Sequence, residues 1–352
     1  MSEFVLCSNC FSDQGLKLDS VRFGTNDATV CPNCGSETGR KLTSDLALEV
    51  AHRFFVNGTI HRVNYGGAPL IVFNDRQKTS IEFPNWLEAD VKTIERVLGV
   101  GFFLYGPRLW MVGEIEPLKA LQEPEKKDMI VARILREYPS KTLSPADYFY
   151  RIRIEPKDPS DPSEYDSPPD NLVGNGRLDA HGLPMLYASQ DIQICVHECR
   201  VTVDDTVYVA TLASTRELKL LDLTHLLKEE ETEFESLDLA VHMLFLAGKH
   251  SYKLASSIAE SAQQAGFDGV VYPSYFSLVR TGSRPFETIY GMSIRRIPQL
   301  SMHAQSQILP NLALFGRPIA SLGVEVKGIN KLILNRVEYD LLFGPVGYKH
   351  IY

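Results

Sequence analysis

The segment GNGRLDAHGLPMLYAS, residues 174–189, carries the strongest structural signal in this sequence of 352 residues. Its glycines let the backbone approach a ligand closely, and Arg177 follows them directly. The apolar run at residues 183–188 predicts a short strand that leads to Ser189, a residue type that favours the start of a helix. The segment therefore predicts a loop, a strand and a helix in succession, with Gly176 and Arg177 placed to contact a ligand.

The helix predicted after Ser189 extends from residue 190 to about residue 200 and has one apolar stripe. The stripe follows an i, i+3, i+4, i+7 pattern and consists of Ile192, Cys195, Val196 and Cys199. Glu198 lies at the border of this stripe, where a carboxylate is partly desolvated and held in place, as in a reactive site. The same position is also typical of an ordinary surface ion pair, so both interpretations stay open.

Two further segments place functional side chains next to predicted strands. Upstream, YFYRIRI (residues 148–154) predicts a strand on which Arg151 and Arg153 share one face, because side chains two apart point the same way. Downstream, FDGVVYPS (residues 267–274) predicts a strand that ends in a turn at Ser274. The acidic, proline-rich residues 156–170 predict a solvated connection.

The first four cysteines form two C-x₂-C pairs, separated by 20 residues that could form a short hairpin: CSNC with Cys7 and Cys10, and CPNC with Cys31 and Cys34. This spacing predicts a zinc ribbon in which four thiolates surround Zn²⁺. Four protein ligands leave no open position, so the predicted zinc is structural and not catalytic. Disulfides are disfavoured because the sequence begins without the features of a secretion signal.

The other two cysteines, Cys195 and Cys199, occur in CVHEC. A metal site that also uses His197 can be drawn, but on a helix His197 points away from the face that the two cysteines share. The pattern favours two small apolar residues on a buried helix face.

The composition is that of an ordinary folded protein: 36 Lys and Arg against 44 Asp and Glu give a net charge of −8, and 44% of the residues are hydrophobic. These values exclude disordered, collagen-like and disulfide-scaffold proteins. No apolar run approaches the roughly 18 residues that a membrane span needs, so we expect a cytoplasmic protein that does not enter a membrane. The acidic balance argues against a nucleic-acid partner bound by bulk electrostatics.

The patterns predict that the chain is organised as four consecutive segments. Residues 1–42 form the zinc ribbon; residues 43–144 form an accessory α/β domain, with helices near 86–97 and 126–137 and with Thr43 to Asp45 capping a further helix. Residues 145–295 form a third domain, and residues 296–352 form a C-terminal β extension packed on it. Alternating apolar and polar residues at 336–341 predict a strand in that extension.

The common catalytic motifs do not occur in this sequence. It has no P-loop, no HExxH and no GxSxG, and its GNG is not followed by the helix start of a dinucleotide fingerprint. What remains is a set of arginines, one glutamate, one tyrosine and one serine on successive predicted elements.

Three sequence elements together resemble one known family. They are Arg151 in YRIR, the segment at residues 174–189 followed by Glu198 in VHE, and Ser274 in YPS. They resemble the RES domain, named after an Arg, a Glu and a Ser, over roughly residues 145–295. The resemblance implies an α+β fold similar to ADP-ribosyltransferases, with a mixed and antiparallel sheet core. It also implies a toxin that degrades NAD⁺, and long forms of the family carry an N-terminal cysteine segment and an accessory domain as well.

Carried over residue by residue, the resemblance implies three catalytic residues, Arg151, Glu198 and Ser274. Glu198 would stabilise the oxocarbenium-like transition state of nicotinamide–ribose cleavage, and Ser274 would orient Glu198 or a ribose hydroxyl. The implied substrate-binding residues are Arg153, Gly176, Arg177, Tyr187 and Ser189. Arg151 and Arg177 would hold the pyrophosphate or an incoming phosphate, and Tyr187 would either stack on nicotinamide or pack in the core.

The sequence departs from the family pattern at two places. Leu178-Asp179 follows the Gly-Arg pair, and an acidic Asp179 near a phosphate pocket would repel substrate unless it pairs with an arginine. The N-x-x-x-N-P ending of short family members is not evident after Ser274. Because of these departures, one hypothesis is a binding protein that consists of a zinc ribbon and a catalytically inactive RES domain.

The leading hypothesis is an NAD⁺-degrading enzyme of a toxin–antitoxin or defence system, with structural Zn²⁺ and with phosphate or water as acceptor. Its expected partner is a protein antitoxin. A second enzyme hypothesis is mono-ADP-ribosyl transfer to a macromolecule. We expect a nucleic acid to take part only as the target of this modification. Residue types and spacing do not choose between these acceptors.

Overall fold

Strand pairing and side-chain packing group the chain into two units, each with its own core. The computed structural model describes residues 3–63, 66–105, 115–169, 176–179, 182–228, 236–277, 281, 288–289, 292–293, 297–339 and 341–350. The first unit consists of Met1–Val63, Gly67–Arg108 and Tyr339–Tyr352, and the second of Asn64–Gly66 and Leu109–Glu338. The four-segment organisation stays a prediction.

In the first unit, the first cysteine pair begins at the end of a strand, and the second pair lies in a turn. Strand Phe4–Cys7 pairs antiparallel with Lys41–Thr43, so the first cysteine pair begins where a strand ends. Between the pairs the chain forms a helix, Gln14–Phe23, and not the predicted hairpin. The side chain of Asp13 accepts a hydrogen bond from the Leu16 N–H and starts that helix.

The rest of the first unit is helical with short antiparallel strands. Thr43 caps the helix Ser44–Ala51 by accepting from the Leu46 N–H, as predicted, and a π-helical turn, His52–Val56, continues it. The predicted helix near 86–97 is Asn85–Leu98. The strands are Ile60–Val63, Gly66–Pro69, Ile71–Asn74, Ile81–Glu82, Gly101–Leu104 and Lys349–His350.

One apolar core joins the cysteine-bearing segment to the residues that follow it. Each fully buried Leu or Phe stabilises the unit by about 1.5–3 kcal/mol. Its largest members are Leu6, Phe11, Leu16, Leu42, Val50, Phe54, Phe55, Ile71, Leu87, Val91, Ile94 and Phe102. The cysteine segment therefore shares its core with the residues after it.

The second unit contains a mixed five-stranded sheet and an antiparallel three-stranded sheet. In spatial order the first comprises Met185–Ala188, Pro310–Phe315, Gly269–Pro273, Leu218–Asp222 and Ser140–Leu143. Only Gly269–Pro273 and Leu218–Asp222 run parallel. The second sheet comprises Val324–Leu332, Val207–Ser214 and Tyr148–Ile154. The predicted α+β class with a mixed and antiparallel core is confirmed.

Helices of the second unit bury one face of the mixed sheet. Ser236 caps the helix Leu237–Leu246, and Gly266, at φ +83°, follows the helix Tyr252–Gln264 as predicted. The other helices are Glu116–Gln122, Pro124–Glu137, Ile192–Cys199 and Pro298–Ser306. Across the described part of the chain, no helix is both long and apolar enough to span a bilayer.

The strand predicted at residues 336–341 does not form. Residues 333–339 and 341–348 lie outside regular strands, and the side chains of Tyr339 and Leu341 are 77% and 63% exposed. Alternating residues form a strand only where a sheet edge supplies backbone partners. The sheet strand of this region ends earlier, at Leu332, and the later strand Lys349–His350 pairs with Ile81–Glu82 inside the first unit.

Candidate active site

Glu198 lies in the last turn of the helix Ile192–Cys199, which we call the glutamate helix. Asp191 starts this helix by accepting hydrogen bonds from the backbone N–H groups of Gln193 and Ile194. The prediction that Ser189 caps this helix is wrong. The Ser189 hydroxyl instead donates to the Pro310 carbonyl at 3.0 Å and accepts from the Asp191 N–H. Asp191 caps the helix because its carboxylate reaches two free N–H groups of the first turn.

The Glu198 carboxylate is exposed, but one of its oxygens is held by two buried donors. The Ser274 hydroxyl donates to Oε1 at 2.7 Å, and the Asn311 side-chain amide donates to the same oxygen at 2.6 Å. Ser274 is 0% exposed and Asn311 is 3% exposed. No described residue donates a hydrogen bond to Oε2, which leaves that oxygen for a ligand.

Ser274 is fixed by a turn that follows the strand Gly269–Pro273. Its backbone N–H donates to the Leu309 carbonyl, and its hydroxyl accepts from the Phe276 N–H. The Ser277 hydroxyl donates to the Ser274 carbonyl and closes the turn. The serine is therefore a rigid donor to Glu198.

Aromatic rings surround the Glu198–Ser274 pair. His197, which precedes Glu198, stacks on Phe276 with ring centroids 5.4 Å apart, and the half-exposed Tyr275 meets Phe276 edge to face. On the other side of Ser274, burial raises the pKa of Tyr272 well above its usual range, and the negative charge of Glu198 adds to this effect. Tyr272 is therefore a neutral neighbour of the carboxylate.

Arg151 and Arg153 both project from the strand Tyr148–Ile154 and contact the same backbone carbonyl. Both guanidinium groups donate to the Asp166 carbonyl, at 2.9 and 2.8 Å, which confirms that they share a face. Arg151 also donates to the Tyr187 carbonyl at 2.7 Å, and Arg153 donates to the Glu164 carbonyl at 2.6 Å. The pair therefore ties the strand to the proline-rich connection.

Arg151 is almost completely buried, with 6% of its surface exposed. Desolvation, and then the nearby charge of Arg153, lowers the pKa of Arg151 to about 9. Its Nε has no hydrogen-bond partner among the described residues. The arginine therefore acts mainly as a clamp on backbone carbonyls.

We expect the substitution Arg151→Gln to lower the free energy of unfolding by about 1–3 kcal/mol, because the buried Tyr187 carbonyl loses its charged donor. Urea-induced unfolding followed by circular dichroism measures this change. The matched control is Arg216→Gln, which breaks an exposed ion pair with Asp268 and should cost less than about 1 kcal/mol. Equal losses in the two variants would contradict the clamp.

Arg177 contacts the C-terminal end of the helix Leu237–Leu246. Its Nη1 donates to the carbonyls of Leu244 and Ala247, at 3.2 and 2.8 Å, where the helix dipole is negative. Its guanidinium also lies over the Tyr252 ring, 5.1 Å from the centroid. Neither Nε nor Nη2 donates a hydrogen bond to a described residue.

Tyr187 is packed inside the second unit, and its hydroxyl binds the turn that carries Asp179. The hydroxyl donates to Asp179 at 2.8 Å and accepts from the Leu178 N–H, while Gly176 N–H donates to the other Asp179 oxygen. Burial, and then electrostatic interactions with Tyr272 and Asp179, raises the pKa of Tyr187, so the phenol remains a donor. A side chain at Gly176 would collide with both partners, since its Cβ would lie 2.6 Å from the Tyr187 hydroxyl.

The residues that gave rise to the family resemblance thus lie in one unit, and comparison with known families places them in one domain. The RES domain family matches residues 148–283. Residues 148–283 form a RES domain. A solved structure of the M. tuberculosis MbcT–MbcA toxin–antitoxin complex is similar to this chain at 14% identity and a TM-score of 0.32, over 57% of this chain and 91% of that chain. None of the curated proteins matches the sequence.

Within the RES domain, the predicted site residues form two groups, one around Glu198 and one around Tyr187. Glu198 and Ser274 are in direct contact, while Arg151 reaches Tyr187 only through its backbone carbonyl. The second group, Gly176, Arg177 and Tyr187, lies around the 176–179 turn. The glycine loop at residues 174 and 175 lies outside the described residues. The catalytic and substrate-binding roles stay predictions.

Asn311 is the site residue that sequence analysis did not find. It lies outside the matched range of the RES domain and 113 positions from Glu198. The only local signal is one amide in the otherwise apolar strand Pro310–Phe315. A buried amide in such a strand needs a polar partner, and this could have suggested a site without naming Glu198.

The four N-terminal cysteines lie together in the first unit, and their sulfur atoms are all within 4.8 Å of one another. The thiols of Cys7 and Cys31 have opposite pKa shifts. Burial and the hydrogen bond with Cys34 raise the pKa of Cys7 to about 11. Burial also disfavours the thiolate of Cys31, but hydrogen bonds from backbone N–H groups and from other thiols outweigh it and lower the pKa of Cys31 to about 7. Asn33 donates to the Cys10 sulfur at 3.3 Å. Four soft sulfur ligands at this spacing fit a tetrahedral metal ion, as predicted.

A buried lysine, which the sequence did not indicate, supports the loop behind the second cysteine pair. The Lys41 side chain is 0% exposed. Its Nζ donates at 3.2–3.4 Å to the backbone carbonyls of Ser36, Glu37, Thr38 and Gly39. The ammonium group thus replaces the water that these carbonyls would otherwise bind.

Proposed function

We propose that the RES domain cleaves the bond between nicotinamide and ribose in NAD⁺ and transfers the ADP-ribosyl group to phosphate or water. The observation that carries this proposal is the exposed Glu198 carboxylate, held at Oε1 by two buried donors. The second carboxylate oxygen, Oε2, can therefore contact the positive charge that develops on the ribose. This geometry is suited to a reaction in which charge develops on one carbon atom.

The proposed reaction needs no cofactor besides its substrate. The C1′–N bond of NAD⁺ breaks, and its electron pair moves to the pyridinium nitrogen, so that neutral nicotinamide leaves. The ribose becomes oxocarbenium-like, and Glu198 stabilises that positive charge in the transition state. An oxygen of phosphate or water then bonds to C1′; in the case of water, one proton is released to solvent.

Two arginines are proposed to have different tasks. Among the described residues, Arg177 donates only through Nη1, so its other N–H groups can bind the pyrophosphate or an incoming phosphate. Arg151 and Arg153 each use two N–H groups on backbone carbonyls. We therefore propose that both arginines mainly position the site, since the Nε of Arg151, which has no hydrogen-bond partner among the described residues, is itself buried.

Asp179 does not argue against activity. Its two oxygens accept from the Tyr187 hydroxyl and the Gly176 N–H, and the side chain is 9% exposed. Its negative charge is thus stabilised inside the turn and is shielded from a phosphate. The main support for an inactive binding protein is thereby weakened.

The test is phosphorus and proton NMR of NAD⁺ incubated with the purified full chain, with and without inorganic phosphate. Nicotinamide release that requires phosphate and yields an ADP-ribose phosphate indicates a phosphorylase, and phosphate-independent release indicates a glycohydrolase. Release only after a protein or nucleic acid is added would replace the proposal with mono-ADP-ribosyl transfer. No release from folded protein under any of these conditions would contradict it.

An enzyme that consumes NAD⁺ in the cytoplasm needs an inhibitor, and we propose a protein antitoxin that covers the exposed Glu198. Expression of the chain alone should deplete NAD⁺ and arrest growth. Normal growth at a high level of active protein would contradict the toxin role.

A further inference from the structure

We propose that Asn311 is a positioning residue for Glu198, so that the strand Pro310–Phe315 belongs to the reaction site although it lies beyond the matched RES domain. This inference rests on the proposed function. It assigns a role to a residue that has neither a catalytic motif nor sequence proximity to the other site residues.

The first support is the placement of Asn311 in the sheet. The strand Pro310–Phe315 pairs on one side with Met185–Ala188 and on the other with Gly269–Pro273. Asn311 lies directly opposite Tyr272, two residues before Ser274. A residue in an inner strand has a fixed backbone, so its side chain is a rigid donor.

The second support is that the start of this strand holds the other parts of the site as well. The Ser274 N–H donates to the Leu309 carbonyl, and the Ser189 hydroxyl donates to the Pro310 carbonyl. The residues before the glutamate helix, the serine turn and the amide donor are therefore all fixed to one short stretch, residues 309–311. We infer that this stretch sets the position of the Glu198 carboxylate relative to its surroundings.

The third support is chemical. Ser274 alone would allow the carboxylate to rotate about its single hydrogen bond, whereas two donors, one from a turn and one from a strand, fix Oε1 and so direct Oε2. An amide is a neutral donor at every pH, so Asn311 supports an ionised carboxylate without offering it a proton. Asp at this position would have the same shape but would present a second carboxylate to Glu198.

The test compares Asn311→Asp with the matched control Asn330→Asp, which adds the same charge at an exposed position of the strand Val324–Leu332. We expect Asn311→Asp to lower kcat for nicotinamide release by about 10- to 100-fold, with a smaller change in KM, since misplacement of about 1 Å can have this effect. We expect the control to match the wild-type protein.

The pH profile separates positioning from a merely structural role. Two carboxylates in contact retain one shared proton to higher pH, so the acidic limb of the kcat profile should move upward in Asn311→Asp. Among the described residues, Cys195, Cys199 and Tyr272 interact electrostatically with Glu198, and since burial raises the pKa of each, these groups stay neutral in this range. His197, on the same helix, is present in both proteins, so it cannot produce a difference between them.

Two further variants keep the inference testable if Asn311→Asp folds poorly. Asn311→Ala removes the donor without adding charge, and it should lower kcat without moving the acidic limb. The double variant Glu198→Gln with Asn311→Asp removes the repulsion, so its melting temperature should recover toward that of Glu198→Gln alone. No recovery would show that the two side chains do not interact, and would overturn the inference.

The outcomes also distinguish this inference from the proposed function. If the wild-type chain releases no nicotinamide, the proposed function fails and the positioning role fails with it. If the wild-type chain is active and folded Asn311 variants keep the wild-type kcat and pH profile, only the role of Asn311 is overturned.

Discussion

Glu198→Gln should lower the rate of nicotinamide release from NAD⁺ by about 10²–10³-fold or more, a loss typical of removing one preorganised electrostatic contact. The glutamine side chain has the same shape as glutamate but cannot offset the positive charge that develops on the ribose. Because this contact is strongest in the transition state, the loss should fall on kcat. Phosphorus and proton NMR of product formation measures it.

The same substitution should leave the protein folded. The side-chain carbonyl of glutamine can still accept from Ser274 and Asn311, the two donors that hold Oε1 in the wild-type protein. Glu217→Gln is the matched control, since it removes one negative charge at an exposed position of the same unit. A folded Glu198→Gln protein with the activity of the control would exclude Glu198 as the catalytic carboxylate.

Cys31→Ser should remove a bound metal ion and unfold the cysteine-bearing part of the first unit. We propose that the ion is Zn²⁺, whose binding contributes about 10–16 kcal/mol in small zinc modules at neutral pH. The loss should extend beyond the ligands because Leu6, Phe11 and Leu42 belong to the same core as the helix Ser44–Ala51. Metal analysis of the purified protein and thermal unfolding measure the two effects.

The control for this prediction is Cys199→Ser, which changes an exposed cysteine outside the cluster and should leave the metal content unchanged. Acidification should also release the metal, because each thiolate ligand must take up a proton as the pH falls. Wild-type protein purified without metal, yet with an unchanged first unit, would contradict the zinc prediction.

Local features of the site followed from the sequence because they depend on short spacings. The cysteine spacing predicted a cluster that the fold assembles, and the alternation around Arg151 and Arg153 predicted their shared face. Apolar periodicity predicted the glutamate helix, although its cap is Asp191 and not Ser189. Cap choice depends on which side chain reaches the free N–H groups, and periodicity does not contain that information.

Contacts between distant segments could not be derived in this way. Asn311 meets Glu198 only because the strand Pro310–Phe315 inserts between two other strands of the mixed sheet. Arg151 was predicted to bind phosphate, yet its Nη groups contact carbonyls that the fold brings to it. Asp179 was expected to need an arginine, whereas packing supplies the Tyr187 hydroxyl and the Gly176 N–H instead.

The sequence by itself indicated the RES domain and its α+β class through a family resemblance, and it determined the four-cysteine cluster and the glutamate helix through residue types at short, regular spacing. Only the tertiary structure decided which donors hold Glu198 and which carbonyls hold Arg151. The physical reason is that a hydrogen bond requires two groups within about 3 Å, and for groups 113 positions apart sheet order and register alone set that distance.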